Sequence, residues 1–188
     1  MTVAVALALL IAGCGPVAQS SPAETPAASR SPEQLISALY RYALGLPDGW
    51  LVITQAVAPW DGTGSPDHNG PDVDQYLGPK GTFGWAYAAP TSANLDEYVA
   101  EQSKAAAAAH PCPDTPETNE SLVIGGEPAR LTTMHCPADG GILVLTAYVV
   151  RNGTGFVFAL QDPDGGPAAE PATKTAFEGF LANVSFGD

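Results

Sequence analysis

Positive charge is scarce in this 188-residue chain: seven Lys and Arg stand against twenty Asp and Glu, a formal net charge of −13. None of those charges falls in residues 1–13. Phosphate would be repelled by such a surface, so nucleic acid and anionic lipid headgroups are disfavoured as partners. Cationic ligands and basic protein surfaces stay open, although acidity also serves plain solubility. Long apolar runs are missing too. The run Val3–Ala12 has ten residues, about half of the roughly 20 that a spanning helix needs. Catalytic signatures are absent as well. No G-x-x-x-x-G-K-[ST] phosphate loop and no H-E-x-x-H occur, and Gly62-Thr63-Gly64-Ser65-Pro66 fails the G-x-S-x-G pattern. Nothing in the chain announces a cofactor site or a nucleophile with its base, and the expectation is a protein that is not an enzyme.

Cysteine is rare, with three in the chain, and the first is the most informative. A ten-residue apolar run suits the core of a secretory signal. It closes on Ala12 and Gly13 directly before Cys14, and Leu10-Ile11-Ala12-Gly13-Cys14 resembles the bacterial lipobox. Small residues fit a peptidase cleft, and a thiol is the side chain readily converted to a thioether. The reading is a signal over residues 1–13, lipidation of Cys14, and a protein held on the extracytoplasmic face of the cell membrane. No Lys or Arg precedes the apolar run, which departs from the usual signal pattern. Residues 14–37, rich in Pro, Ala, Ser and Thr, have too little apolar surface to offset chain entropy and read as a tether. Within it, Ser31-Pro32-Glu33-Gln34 carries a capping-box pattern, predicting a short helix.

Residues 38–188 are left for one globular domain. In an oxidising compartment Cys112 and Cys136 are expected to pair as a disulfide. The sequence also offers an alternative, since His110, Cys112, His135 and Cys136 include the ligand types of a zinc site. Against zinc, His135 and Cys136 are neighbours on an expected strand and would point to opposite faces.

Alternation of Tyr40, Tyr42, Leu44 and Leu46 with smaller or polar residues predicts a strand, and Trp50–Thr54 a second, across Pro47-Asp48-Gly49. A long polar loop is expected from Pro59 to about Pro79, then a strand over Thr82–Ala88. Asn94 and Glu97 have capping-box spacing, and Leu95, Tyr98, Val99, Gln102, Ala105, Ala106 and Ala109 form one helical stripe. Four strands follow, at Ser121–Ile124, Ala129–His135, Gly141–Arg151 and Gly155–Gln161, the last two joined by a hairpin at Asn152-Gly153. Phe177, Phe180, Leu181 and Val184 mark a C-terminal amphipathic helix. The class is α+β: a mostly antiparallel sheet flanked by a long central helix and a C-terminal helix.

Three stretches, YRYALGLPDGW, IGGEPARL and AFEGFLANVSF, resemble the LpqN type of actinobacterial cell-envelope lipoproteins and, more broadly, the PsbP-like α/β/α sandwich, over about residues 38–186. The resemblance implies that Gly125, Gly126 and Pro128 form a turn between sheet strands and that Trp50 is core. It implies an envelope accessory protein that binds a protein partner, with no catalytic residues to carry over. The Cys112–Cys136 pair is not part of that broad pattern.

The loop PWDGTGSPDHNGPDVD is the candidate contact surface. Asp61, Asp67, Asp72 and Asp74 crowd together without a Lys or Arg, beside Trp60, an aromatic of the kind enriched at hot spots. Trp60 has a second reading, as a packed anchor of the loop. Carboxylates at this density suit calcium, but the glycine of Asp67-His68-Asn69-Gly70 comes too early for an EF-hand loop and no glutamate closes it. Two binding classes result: an adaptor for an envelope protein partner, or a carrier of a small apolar or cationic ligand between sheet and helices.

Overall fold

The computed structural model describes residues 34–109, 118–136, 141–166 and 168–187. Cys14, His110 and Cys112 lie outside them. Seven strands form one antiparallel sheet in the order β3-β4-β5-β9-β8-β7-β6: β3 (Leu51–Thr54), β4 (Asp74–Leu77), β5 (Phe83–Pro90), β6 (Thr118–Ile124), β7 (Glu127–Cys136), β8 (Ile142–Arg151) and β9 (Thr154–Asp162). Three short strands, β1 (Gln34–Ser37), β2 (Tyr42–Gly45) and β10 (Val184–Phe186), make a second sheet in the order β1-β2-β10. The helices are α1 (Leu95–Ala109) and α2 (Glu170–Leu181). This is the expected α+β class.

Register decides which residues face which layer, because paired residues share a face and neighbours alternate. Tyr87, Val157 and Tyr148 are in register and lie under α1. The Tyr98 ring of α1 sits 6.4 Å from Tyr148 and fills the space above Gly155, where a Cβ would come within 2.3 Å of it. The opposite face presents Phe158, Leu145 and Leu160 to the small sheet and α2. Tyr42 of β2 meets Phe158 edge-on at 5.2 Å, and Phe180 of α2 stacks on Trp50 at 4.9 Å. Trp50, 5% exposed, is core as the resemblance implied.

Local chemistry sets the boundaries. Both capping-box bonds form at α1: the Glu97 N–H donates to Asn94 Oδ1 at 3.1 Å, and the Asn94 N–H donates to Glu97 Oε2 at 3.0 Å. The β6–β7 and β8–β9 hairpins turn through Gly125-Gly126 and Asn152-Gly153, all four residues at positive φ as a type I′ turn requires.

Three strands differ from the sequence expectation. Gln34–Ser37, read as the end of the tether and, at Gln34, as the capping box of a short helix, is strand β1, with Leu35 fully buried against the small sheet. Asp74–Leu77, read as loop, is β4. Its polar residues are buried because partners await them: Tyr42 OH donates to Asp74 Oδ2 at 2.7 Å, and Gln75 Nε2 donates to the His68 carbonyl at 2.9 Å. Val184, placed on the C-terminal helix, belongs to β10. At β4, Tyr76 lies across Gly84 of the neighbouring strand and its hydroxyl donates to the Ala159 carbonyl at 2.7 Å. A side chain at position 84 would overlap that ring.

Candidate functional site

β4 pairs with β5 only from Phe83 to Ala86, so Tyr87–Pro90 form an edge that the sheet leaves open on one side. The loop of residues 55–73 wraps that edge. Its anchor is Trp60, 5% exposed, whose indole meets Tyr87 edge-on at 4.6 Å. The Tyr40 hydroxyl ties both ends of the loop, accepting the Trp60 N–H at 3.1 Å and donating to the Asp72 carbonyl. Burial, opposed by the Trp60 N–H and reinforced by the charges of Asp72 and Asp74, pushes the Tyr40 phenol up to about 12. Farther along, His68 lies 5.4 Å from the Trp85 ring.

The four aspartates do not act as one group. Asp61 and Asp67 are exposed and fold back on their own turns: Asp61 Oδ1 accepts the Thr63 N–H at 2.8 Å, and Asp67 Oδ1 accepts the Asn69 N–H at 2.9 Å. The Thr63 bonds, side-chain then backbone, hold the Asp61 carboxyl below its ordinary value. Asp72 is half-buried. Asp74, 1% exposed, is structural, binding Tyr42 and also accepting the Ala56 N–H at 2.8 Å through Oδ1. Among the described residues no three or more His, Cys, Asp or Glu gather as metal ligands. His135 faces α2 and contacts Glu170 at 2.9 Å, while Cys136, its neighbour, is buried on the α1 side of the sheet.

What the wrapped edge creates is a cleft of about 420 Å³. Trp60, Tyr40 and Phe156 supply aromatic surface, and Ala88 and Ala89 of β5 keep the floor low. Its rim carries Arg41, from the β1–β2 turn, and Arg151, from the end of β8. Arg151 is held on three sides. Its Nε donates to Glu127 Oε1 at 3.2 Å, its Nη1 donates to the Gly187 carbonyl at 2.6 Å, and its guanidinium lies 5.7 Å from the Phe186 ring centre. Arg41 has φ 56°, a left-handed conformation. The Gly187 N–H donates to its carbonyl at 2.8 Å and its own N–H donates to the Ser37 carbonyl at 2.9 Å.

Of the five residues expected to form the contact surface, Trp60, Asp61, Asp67, Asp72 and Asp74, only Trp60 lines this cleft. Arg41, Arg151, Tyr40 and Phe156 come from four separate segments that meet through β-pairing. One signal did exist: two of only four arginines in the chain are here.

No family model and no curated protein matches the chain. Solved structures do. The solution structure of cyanobacterial PsbP from Synechocystis sp. PCC 6803 superposes with a TM-score of 0.55 at 10% identity, over 90% of this chain and 99% of that one. The chain has the PsbP-like fold. The Ran-binding protein Mog1p of Saccharomyces cerevisiae shares it, with a TM-score of 0.53 at 8% identity, over 84% of this chain and 96% of that one. LpqN of Mycobacterium tuberculosis, involved in cell envelope biogenesis, gives 0.46 at 10% identity, over 86% of this chain and 88% of that one. At these identities the PsbP-like likeness speaks to architecture.

Proposed function

We propose that this chain is a non-catalytic binding protein of the cell envelope, exported, lipidated on Cys14 and held on the outer face of the membrane. The observation that carries the binding reading is the cleft. Aromatic and small apolar side chains lie beneath two arginines, one of them fixed in orientation by Glu127, Gly187 and Phe186. Sites of this make-up, apolar with a few placed polar groups, hold ligands. The anchor reading is supported by the lipobox alone. Detergent partitioning tests it: wild-type chain should enter the detergent phase, and Cys14→Ala should be left unprocessed or shed. A Cys14→Ala chain processed and membrane-bound like wild type would refute it.

Two binding roles fit this frame. As an adaptor, the domain would present its surface to an envelope protein, and crosslinking from membranes with mass spectrometry should recover that partner. As a carrier, it would hold a small molecule, a reading that the cleft favours because its volume falls within the roughly 300–1,000 Å³ usual for such sites. Mass spectrometry of co-purified small molecules separates the two.

The disulfide between Cys112 and Cys136 belongs to the same proposal. Cys136 is 2% exposed on the sheet face that carries α1, and α1 ends at Ala109, shortly before Cys112. The bridge would close a loop worth about 3 kcal/mol on the chain-entropy account. Thiol labelling of unreduced protein should find neither cysteine; two free thiols with bound zinc would reverse the assignment.

A further inference from the structure

We propose that β6 is a self-pairing edge: two copies of the chain join β6 to β6 antiparallel about Ser121, making one sheet continuous across both. The inference does not involve the cleft.

The two ends of the large sheet are closed differently. β3, at one end, has four residues and a register shift between Val52 and Thr54. Short length and a bulge are usual ways of blunting an edge. β6, at the other end, has seven residues in unbroken register with β7, from Thr118 opposite Thr133 to Ile124 opposite Glu127. Among the described residues no strand pairs with its outer side. Thr118–Ser121 and Val123 are exposed, Val123 to 67%. α1 and α2 pack mainly over β7, β8 and the small sheet, which leaves this edge clear.

The hairpin fixes which backbone groups face outward. Ile124 and Glu127 flank the Gly125-Gly126 turn and form its closing hydrogen-bonded pair. Counting back by alternate residues, Leu122, Glu120 and Thr118 bond to β7, while Val123, Ser121 and Asn119 turn their N–H and C=O groups outward. Pro128, opposite Val123, fits this phasing, because a proline has no N–H to give to the β6–β7 ladder. An antiparallel copy centred on Ser121 sets Ser121 against Ser121 and Asn119 against Val123, and every one of these outward groups is paired. Centring on Leu122 instead would set Asn119 against Gly125 of the turn and lose its bonds.

Charge selects a second copy over a charged peptide. The chain carries −13, but the charges beside β6 are matched locally. Lys174 of α2 binds Glu120, and Arg130 of β7 binds both Ser121 and Asp96 of α1. Such an edge offers no net field to a charged strand and does not repel its own image. In the two-fold pair Glu120 faces Leu122 of the other copy, so no like charges stand directly opposite. Ser121 against Ser121 brings two small hydroxyls together, and Asn119 covers the exposed Val123. The pair is isologous, as closed dimers are. One strand pair buries less than the roughly 1,200 Å² of standard interfaces, which makes the dimer weak, with a Kd on the order of 100 μM.

The test uses the full chain carrying Cys14→Ala, so that neither a lipid nor that thiol joins the copies. Sedimentation equilibrium from about 10 μM to 1 mM brackets that Kd and should show a monomer–dimer equilibrium. Val123→Lys, a charge on the edge, should abolish the dimer while leaving the melting temperature within about 2 °C. Ser121→Pro, which removes an outward N–H, should do the same. Ser121→Cys should oxidise to a disulfide-linked dimer, because paired residues at that centre lie about 5.5 Å apart between Cα atoms. Asn119→Cys, which lies opposite Val123, should not. A chain monomeric at about 1 mM, ten times the expected Kd, a dimer that survives Val123→Lys, or equal oxidation of the two cysteine variants would each overturn the proposal. A chain that stays monomeric but loses a crosslinked envelope protein on Val123→Lys would assign the edge to that partner and overturn it too.

Discussion

Truncating Trp60 to alanine tests how the loop of residues 55–73 is held. The indole is 5% exposed, part of the continuous core, and packs edge-on against Tyr87 at 4.6 Å and 72°. Removing a buried Trp side chain costs about 3–5 kcal/mol, of which the aromatic pair accounts for roughly 0.5–1.5. A domain of this size loses about 2–4 °C of Tm per kcal/mol, so the expected drop is about 6–20 °C. The Trp60 backbone N–H would keep its acceptor on Tyr40, and the loss is therefore one of packing. Thermal unfolding of the full chain by circular dichroism, with urea midpoints at an unchanged m value, measures it. Trp60→Phe keeps an aromatic edge for Tyr87 and should fall between the two. A Trp60→Ala variant melting within about 2 °C of wild type would refute the packing account and return Trp60 to the surface role that the sequence also allowed.

Asp74→Ala strands the buried Tyr42 hydroxyl, at about 1–3 kcal/mol, and removes the acceptor of the half-buried Ala56 N–H at a smaller cost, less whatever is regained by not burying a carboxylate. Urea titration should rank it clearly below Asp74→Asn, which retains an accepting oxygen; equal stability of the two would refute the role. Gly84→Ala places a Cβ 1.8 Å from the Tyr76 ring, and expelling that ring also breaks its bond to Ala159. Overpacking with backbone shift costs typically 1–3 kcal/mol, occasionally more, so Tm should fall by several degrees, and an unchanged Tm would contradict the strand register. All six tyrosines are raised by burial, Tyr40 to about 12. A phenol near 10 when unfolded and higher when folded stabilises fully below pH 10, and that contribution is lost as pH climbs towards the folded value. Alkaline titration of phenolate absorbance should therefore show little ionisation before unfolding begins between about pH 10 and 12; early ionisation of several phenols would place those rings in solvent.

Much of the architecture was legible because it depends on period and punctuation. The strand-forming runs of β5, β7, β8 and β9, the capping box at Asn94 and Glu97, and the glycine-containing turns at 125–126 and 152–153 are local signals, and local signals survive into the folded chain. Other elements exist only through pairing. Gln34–Ser37 has no strand signal of its own and becomes β1 because β2 offers a partner and Leu35 a place in the core. Asp74 and Gln75 read as polar loop until Tyr42 and the His68 carbonyl satisfy them, which turns a hydrophilic stretch into a buried strand.

The candidate site divides the same way. Composition and the lipobox determined the address that the sequence proposes, since a leader is read as a linear string. The aspartate loop was visible as a length and a charge, but the sequence could not show that Asp74 is core, that Asp61 and Asp67 cap their own turns, or that Trp60 faces inward. The cleft itself was invisible. Arg41 and Arg151 are separated by more than a hundred residues, and net charge pointed to a ligand of the opposite sign. Only tertiary structure brings them together, because β10 pairs with β2 and sets Gly187 between the two arginines, binding one through its carbonyl and the other through its N–H.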